Sequence, residues 1–512
     1  MKRRLLCFVL IIAVVLLSQS CTFSIYDSII ERSVGDIGGG RVEISEIMKE
    51  LNAERRAAFD EPFRFDGIDE YTVCDESLYS LLTKEEIAVL IGETEISPSK
   101  VLLYEDAAYD VDLYFRLLKY CYGPYYYFGG DEAFLPAKEK VLKKLKWTSV
   151  ITKDTIKSAI KESLGFVKDG HLEFDSKCTI GYHVCWYAKD QQFLRDDNGF
   201  FKFIDGEKWY FVEFSDERVS MELFLNDAGE IVYNPVISIK EGFFAPSCFV
   251  TIEHDGETIS QTVSMKKTGY YHLPDRIDYN YLSENGITYI SVRSFGYEYN
   301  DIMQTFAESG AAARGSKCII IDIRGNNGGW EKYSSEWIKN FTGIKPSVMQ
   351  YKIVRKAVWD YLSGIATLDD EYWDYYESIN YLTDTDKCAG QIIKNDIPIF
   401  VLVDSNTASA GEYAIEYFKT LENAVIVGDF SFGAVLSSQK RFTLPHSGIE
   451  VSVGIRMNFF NNSIENIDGI GIKPDIFCDS AYSLSLVLKM MENYGIADTS
   501  ELDEIATYSR GK

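Results

Sequence analysis

Three observations on this chain of 512 residues predict an α/β core preceded by a helical domain and a β-rich module. From Gly286 onward apolar strand-like runs alternate with helical segments. Upstream, residues 44–175 carry apolar positions at helical spacing, and residues 178–282 switch to short β-type runs punctuated by turn signals. Alternating β and α elements pack as a mainly parallel sheet covered by helices, whereas strand runs joined by tight turns pair antiparallel.

The helical stretch shows its period in D-V-D-L-Y-F-R-L-L-K-Y and A-K-E-K-V-L-K-K-L, where charges occupy the face opposite the apolar one. The β-rich stretch contains F-F-K-F-I, W-Y-F-V-E-F, M-E-L-F-L and C-F-V-T-I, separated by Asp197-Asn198-Gly199, Asp205-Gly206, Asn226-Asp227-Ala228-Gly229 and Asp255-Gly256. Each of those breaks supplies residues that tolerate positive φ. The α/β segment, residues 286–490, reads T-Y-I-S-V, D-I-M-Q-T-F-A-E-S, C-I-I-I-D-I, P-I-F-V-L-V and A-V-I-V-G, with an aromatic, acidic stretch from Val348 to Leu382 expected to be a helical insertion. Residues 491–512 form a C-terminal tail. A chain of this length exceeds a single hydrophobic core and divides into two or three domains.

Composition limits the partners. A formal charge of −26 excludes a nucleic-acid binder, which needs a basic surface to displace phosphate counterions. The N-terminus places Lys2-Arg3-Arg4 before an apolar stretch from Leu5 to Leu17 and then Ser18-Gln19-Ser20-Cys21. About 20 apolar residues are needed to span a bilayer, so residues 1–20 read as a signal peptide. Cysteine directly after the small residues resembles the lipobox of bacterial lipoproteins, which implies an acylated Cys21 and a lipid anchor outside the cytoplasm, with ordinary secretion as the alternative. Beyond Cys7 and Cys21, eight cysteines lack C-x-x-C spacing, which argues against zinc ribbons and redox motifs. Cys178 with Cys185 is one disulfide that export would allow. The histidines 183, 254, 272 and 446 have no second histidine or carboxylate at metal-ligand spacing, so no catalytic metal is expected.

The chemistry concentrates at turns. Thr407 to Glu412, T-A-S-A-G-E, follows the run Ile399 to Val403 and opens a helical pattern, which mounts Ser409 at a strand-to-helix turn beside the free amides of a first helical turn. A helix cap is the plainer role for such a serine. After the strand Ile319 to Ile321 comes D-I-R-G-N-N-G-G, residues 322–329, whose paired glycines can turn backbone amides toward a developing oxyanion or simply make a turn. Asp169-Gly170-His171 closes the helical stretch, and a single histidine there is a base or a satisfied core residue.

In this order, D-I-R-G-N-N-G-G, P-I-F-V-L-V-D-S-N-T-A-S-A-G-E, V-I-V-G-D-F-S-F-G-A and G-I-G-I-K-P-D-I resemble the C-terminal processing peptidase family of tail-specific and tricorn core proteases. The resemblance implies a twisted ββα core of the ClpP/crotonase type, a peptide or protein substrate and no cofactor. It implies Ser409 as nucleophile, with Ala410 and either Gly328 or Gly329 giving the oxyanion amides. Ala434 stands where the lysine-dependent branch has its general base, and Lys440 is expected to be a solvated strand residue. The tricorn-like branch implies His171 as base, with Gly170 where tricorn has a serine, and Asp468 or else Glu465 as the carboxylate of the relay. The β-rich module occupies the place of a PDZ domain without a carboxylate-binding glycine loop. Two non-enzymatic readings stand beside this one. Interphotoreceptor retinoid-binding proteins share the fold as carriers of apolar ligands, and a structural lipoprotein could retain the motifs as relics.

Overall fold

The computed structural model describes residues 42–62, 64, 67–71, 81–181, 183–188, 190–240, 245–269, 279–296, 300–354, 382–383, 392–461, 463–499, 502 and 505. Residues 1–20 and Cys21 lie outside the described residues.

A 14-stranded sheet forms the backbone of the molecule. Its centre consists of β12 (Ile287–Val292), β13 (Cys318–Asp322), β16 (Ile399–Val403) and β17 (Ala424–Gly428), all parallel. Every residue of these four strands is buried, as expected for strands covered on both faces. On one face lie α6 (Asn300–Ala312), α7 (Lys332–Thr342) and α8 (Ala410–Lys419), which pack Phe306, Trp337 and Phe418 against Ile290, Ile321 and Val401. On the other, α1 (Ile44–Asp60) and α9 (Ser483–Asn493) cover Tyr289, Ile320 and Val427.

The β-rich stretch extends this same sheet. β21 (Ile476–Phe477) pairs parallel with β17 and with β7 (Ser220–Leu225), and beyond β7 follow β8 (Ile231–Lys240), β3 (His183–Ala188), β10 (Glu257–Lys267) and β9 (Ser247–His254). The contact through β21 is a single register pair, Phe477 with Phe224. A strand edge left open would expose unpaired amides, and β7 covers it.

The helices α3 (Tyr104–Cys121), α4 (Gly130–Lys146) and α5 (Lys153–Ser163) share one core with the hairpin β18 (Arg441–Thr443) and β19 (Glu450–Ser452). Two short strands, β1 (Glu173–Phe174) and β2 (Lys177–Cys178), continue that small sheet, with Glu173 opposite Ser452. This pairing fixes where the loop between α5 and β1 lies, and that loop carries His171.

Two expectations change. The stretch 348–382 begins as strand β14 (Gln350–Val354), paired antiparallel with β20 (Arg456–Phe460), because its alternating Tyr351 and Ile353 pack with Met457 and Phe459 of β20; residues 355–381 lie outside the described residues. Cys178 and Cys185 each carry a free thiol, since one sits on the small sheet beside β1 and the other is buried in β3.

At the end of β13 a carboxylate is buried between two guanidiniums. Asp322 is fully buried and accepts from Arg293 at 2.8 Å through each oxygen, from Arg324 Nε at 2.9 Å and Nη2 at 2.7 Å, and from the Tyr289 hydroxyl at 2.9 Å. Burial alone would raise its pKa, but the two cations more than offset this and hold it far below the usual carboxylate range. Breaking such an arrangement leaves two buried positive charges without their counterion. Asp322→Ala is therefore expected to lower stability by about 3–5 kcal/mol, read from guanidinium denaturation curves.

Candidate active site

β13 and β16 are parallel neighbours, so the loops leaving their C-terminal ends emerge side by side. One is the glycine loop and the other the turn of Ser409. They are stitched together: Gly325 N–H donates to Asp404 Oδ1 at 2.8 Å, Ala408 N–H to the Asn326 carbonyl at 2.9 Å, and the Thr407 hydroxyl to the Ile323 carbonyl at 3.0 Å.

Ser409 sits at the start of α8 with φ 52° and ψ −117°, a conformation L-residues rarely adopt. Such a backbone costs about 1–3 kcal/mol and persists only where its surroundings enforce it. Glu412 supplies that enforcement. Its buried carboxylate accepts from Ser409 N–H at 2.9 Å, Gly433 N–H at 2.8 Å, Ala434 N–H at 2.8 Å and the Ser431 hydroxyl at 2.5 Å. Burial raises its pKa, and the four donors pull the other way.

The Ser409 hydroxyl meets His171 Nε2 at 3.0 Å, across 238 residues of sequence. His171 is only 8% exposed, and burial lowers its pKa; Asp169 opposes that shift and Arg456 adds to it. Burial thereby favours the neutral imidazole, and Nε2 lies within hydrogen-bonding reach of the serine hydroxyl. Its loop is positioned by main-chain bonds. His171 N–H donates to Asp169 Oδ1 at 2.8 Å, and Asp169 also accepts from the Ser437 hydroxyl at 2.9 Å and the Tyr122 hydroxyl at 2.6 Å.

The relay carboxylates are arranged differently from the expectation. Asp468 is buried, but its oxygens accept from Gly170 N–H at 2.8 Å and from Val435 and Leu436 N–H at 2.9 Å each, so it clamps two backbone segments and makes no bond to the imidazole. Burial first and the nearby Asp169 second push its pKa well up. Glu465 is exposed and lines a separate cavity of about 320 Å³. His171 Nδ1 is buried and has no hydrogen-bond partner among the described residues.

The oxyanion amides also sort themselves. Gly328 packs against Ser409, where a Cβ would come within 2.8 Å of the serine Cβ, but its N–H donates to Asn326 Oδ1 at 3.0 Å. Among the described residues, the N–H groups of Gly329 and Ala410 make no such bond. Gly329 itself cannot carry a side chain, because a Cβ would lie 2.0 Å from the Phe295 carbonyl oxygen. Ser409, His171, Gly328, Gly329 and Ala410 together line a cleft of about 1350 Å³. Lys440 lines it too, outside any strand and half-buried, which corrects its expected place as a solvated strand residue.

Residues 286–477 match the sequence profile of Peptidase family S41. Over these residues the chain is similar to peptidase family S41. The segment contains Ser409, both glycines and Asp468, while His171 is contributed from upstream. The family is one of serine-type peptidases. No curated protein matches the chain. Among solved structures, mature CPAF complexed with lactacystin is 13% identical, covering 77% of this chain and 99% of that one with a TM-score of 0.43. The photosystem II D1 C-terminal processing protease is 14% identical over 74% and 96%, with a TM-score of 0.35. The tricorn protease is 13% identical over 80% and 37%, with a TM-score of 0.33.

Glu412 and Asp169 were not singled out from the sequence as site residues. For Glu412 the signal was its position three residues into a helix that starts at serine, where a carboxylate reaches back to the cap. Glu412→Gln would replace one acceptor oxygen by an amide that faces two N–H donors. We expect it to lower stability by about 2–4 kcal/mol in thermal unfolding, whereas Ser431→Ala, which removes one donor to Glu412 and the acceptor of Ile472 N–H at 2.6 Å, costs about 1–3 kcal/mol.

Proposed function

We propose that this chain is a serine peptidase acting outside the cytoplasm, with Ser409 as nucleophile and His171 as general base. The reading rests on one observation above the rest, the 3.0 Å approach of Ser409 Oγ to a buried His171 Nε2 inside the cleft of an S41 segment.

Ser409 Oγ attacks the carbonyl carbon of a bound peptide while its proton passes to His171 Nε2. The carbonyl oxygen takes the negative charge and is held by the N–H groups of Ala410 and Gly329. Collapse of this adduct breaks the C–N bond, and the leaving amine takes the proton from Nε2. Water then attacks the acyl ester with His171 again as base, releasing the acid and restoring Ser409. The imidazolium formed in each half is stabilised through space by Asp169, and no carboxylate needs to touch it. Preorganisation comes from the backbone clamps, since Asp468 and Asp169 fix Gly170 and His171. A lipid anchor at Cys21 would tether the enzyme to a bacterial membrane.

Two outcomes test this. A fluorophosphonate probe should label Ser409, and both Ser409→Ala and His171→Ala should abolish labelling; a folded wild-type protein that takes no label would favour a carrier of peptides or apolar ligands. The second is a pH profile. Because burial lowers the pKa of His171, its neutral form persists below the ordinary histidine value of about 6.5. The acid limb of kcat/KM should therefore fall at a pH below about 6.5, and a limb at or above that value would remove His171 as the base.

A further inference from the structure

The helical region ends in an exposed apolar surface that its own fold creates. Leu102 and Ile151 form an isolated antiparallel bridge, with Leu102 N–H donating to the Ile151 carbonyl at 2.9 Å. Both side chains are buried, at 5% and 4% exposure. Successive side chains on extended backbone point to opposite sides, so Val101, Leu103 and Val150 are turned outward together. They are 61%, 70% and 56% exposed. In an antiparallel bridge the flanking residues oppose each other, which sets Leu103 against Val150. Trp147, the residue that ends α4, is 81% exposed three positions before Val150.

The surroundings of this patch are basic. The last turn of α4 carries Lys143, Lys144 and Lys146, and Lys100 precedes Val101. Lys144 is paired with Glu162 at 2.6 Å, but Lys100, Lys143 and Lys146 enter no ion pair among the described residues. The acids nearby are Asp154, paired with Lys157 at 2.7 Å, Glu162, paired with Lys140 at 3.1 Å as well as with Lys144, and the exposed Glu105 and Glu139, the latter one helical turn before Lys143. On a chain of net charge −26, three lysines outside any ion pair among the described residues, next to four exposed apolar side chains, make this surface more basic than the chain as a whole.

We propose that this surface docks onto an anionic lipid bilayer. Tryptophan settles at the headgroup level with its ring in the acyl boundary, and leucine and valine beside it bury in the same layer. Each lysine close to an anionic leaflet adds attraction of its own, and long lysine stems reach the headgroups while leaving the apolar residues buried. The patch belongs to the helical region and contains no residue of the catalytic cleft, so it stands or falls separately from the peptidase reading.

The full chain is mixed with phosphatidylcholine vesicles whose acyl chains carry bromine, with or without phosphatidylglycerol, and tryptophan emission is followed. Bromine should quench the wild-type protein in the vesicles containing phosphatidylglycerol, and Trp147→Phe should remove that share of the quenching. Lys143→Gln combined with Lys146→Gln should require roughly tenfold or more lipid for half of the Trp147 quenching. Equal quenching in wild type and Trp147→Phe overturns the proposal. So does a Trp147 emission shift that follows protein concentration without vesicles, which would make the patch a contact between copies of the chain.

Discussion

The carboxylate of Glu412 is the interaction on which the site depends. It reaches back from the first turn of α8 to the amide of Ser409 and sideways to Ser431, Gly433 and Ala434, so one buried charge ties the strained serine to the neighbouring loop. That loop in turn presents Val435 and Leu436 to Asp468, whose other oxygen holds Gly170. The route from nucleophile to base thus runs through two carboxylates and backbone amides. Amides are donors whose direction is fixed by the chain, so this route sets the Ser409 to His171 distance more rigidly than a series of mobile side chains would.

Electrostatically, the molecule treats its buried acids in opposite ways. Asp322 has two guanidiniums and stays ionised beneath the glycine loop. Asp468 has only amide donors and Asp169 as a neighbour, so burial and like charge push its proton affinity up. The first arrangement stiffens the sheet end from which the glycine loop springs. The second clamps two backbone segments together, and the through-space attraction that favours the imidazolium comes from Asp169.

Much of this was legible in residues alone. The fully buried strands β13 and β16 read as continuous apolar runs, and the turns after them declared themselves through Gly328-Gly329 and T-A-S-A-G-E. The pairing of Ser409 with His171 came from resemblance, since 238 residues separate them and no local period links the two. The role of Asp468 was misread because a carboxylate in the right block of sequence can face a ring or a backbone amide, and only packing decides which. Gln350 to Val354 was read within a helical insertion, yet strand pairing with Arg456 to Phe460 outweighed local pattern. The union of the β-rich stretch with the central sheet rests on one register pair at β21, a contact too small to leave a trace in the sequence.

One close contact bears on how such a site could change over time. A Cβ on Gly170 would fall 2.5 Å from the Cβ of Ala434 and 2.9 Å from its Cα. Any side chain at 434 therefore obliges glycine at 170 while this backbone holds. Those are the two positions at which the resemblance puts a lysine in one branch and a relay serine in the other. On this backbone a side chain at 170 and one at 434 would claim the same few cubic ångströms, so the two could not be carried together without a shift of the chain.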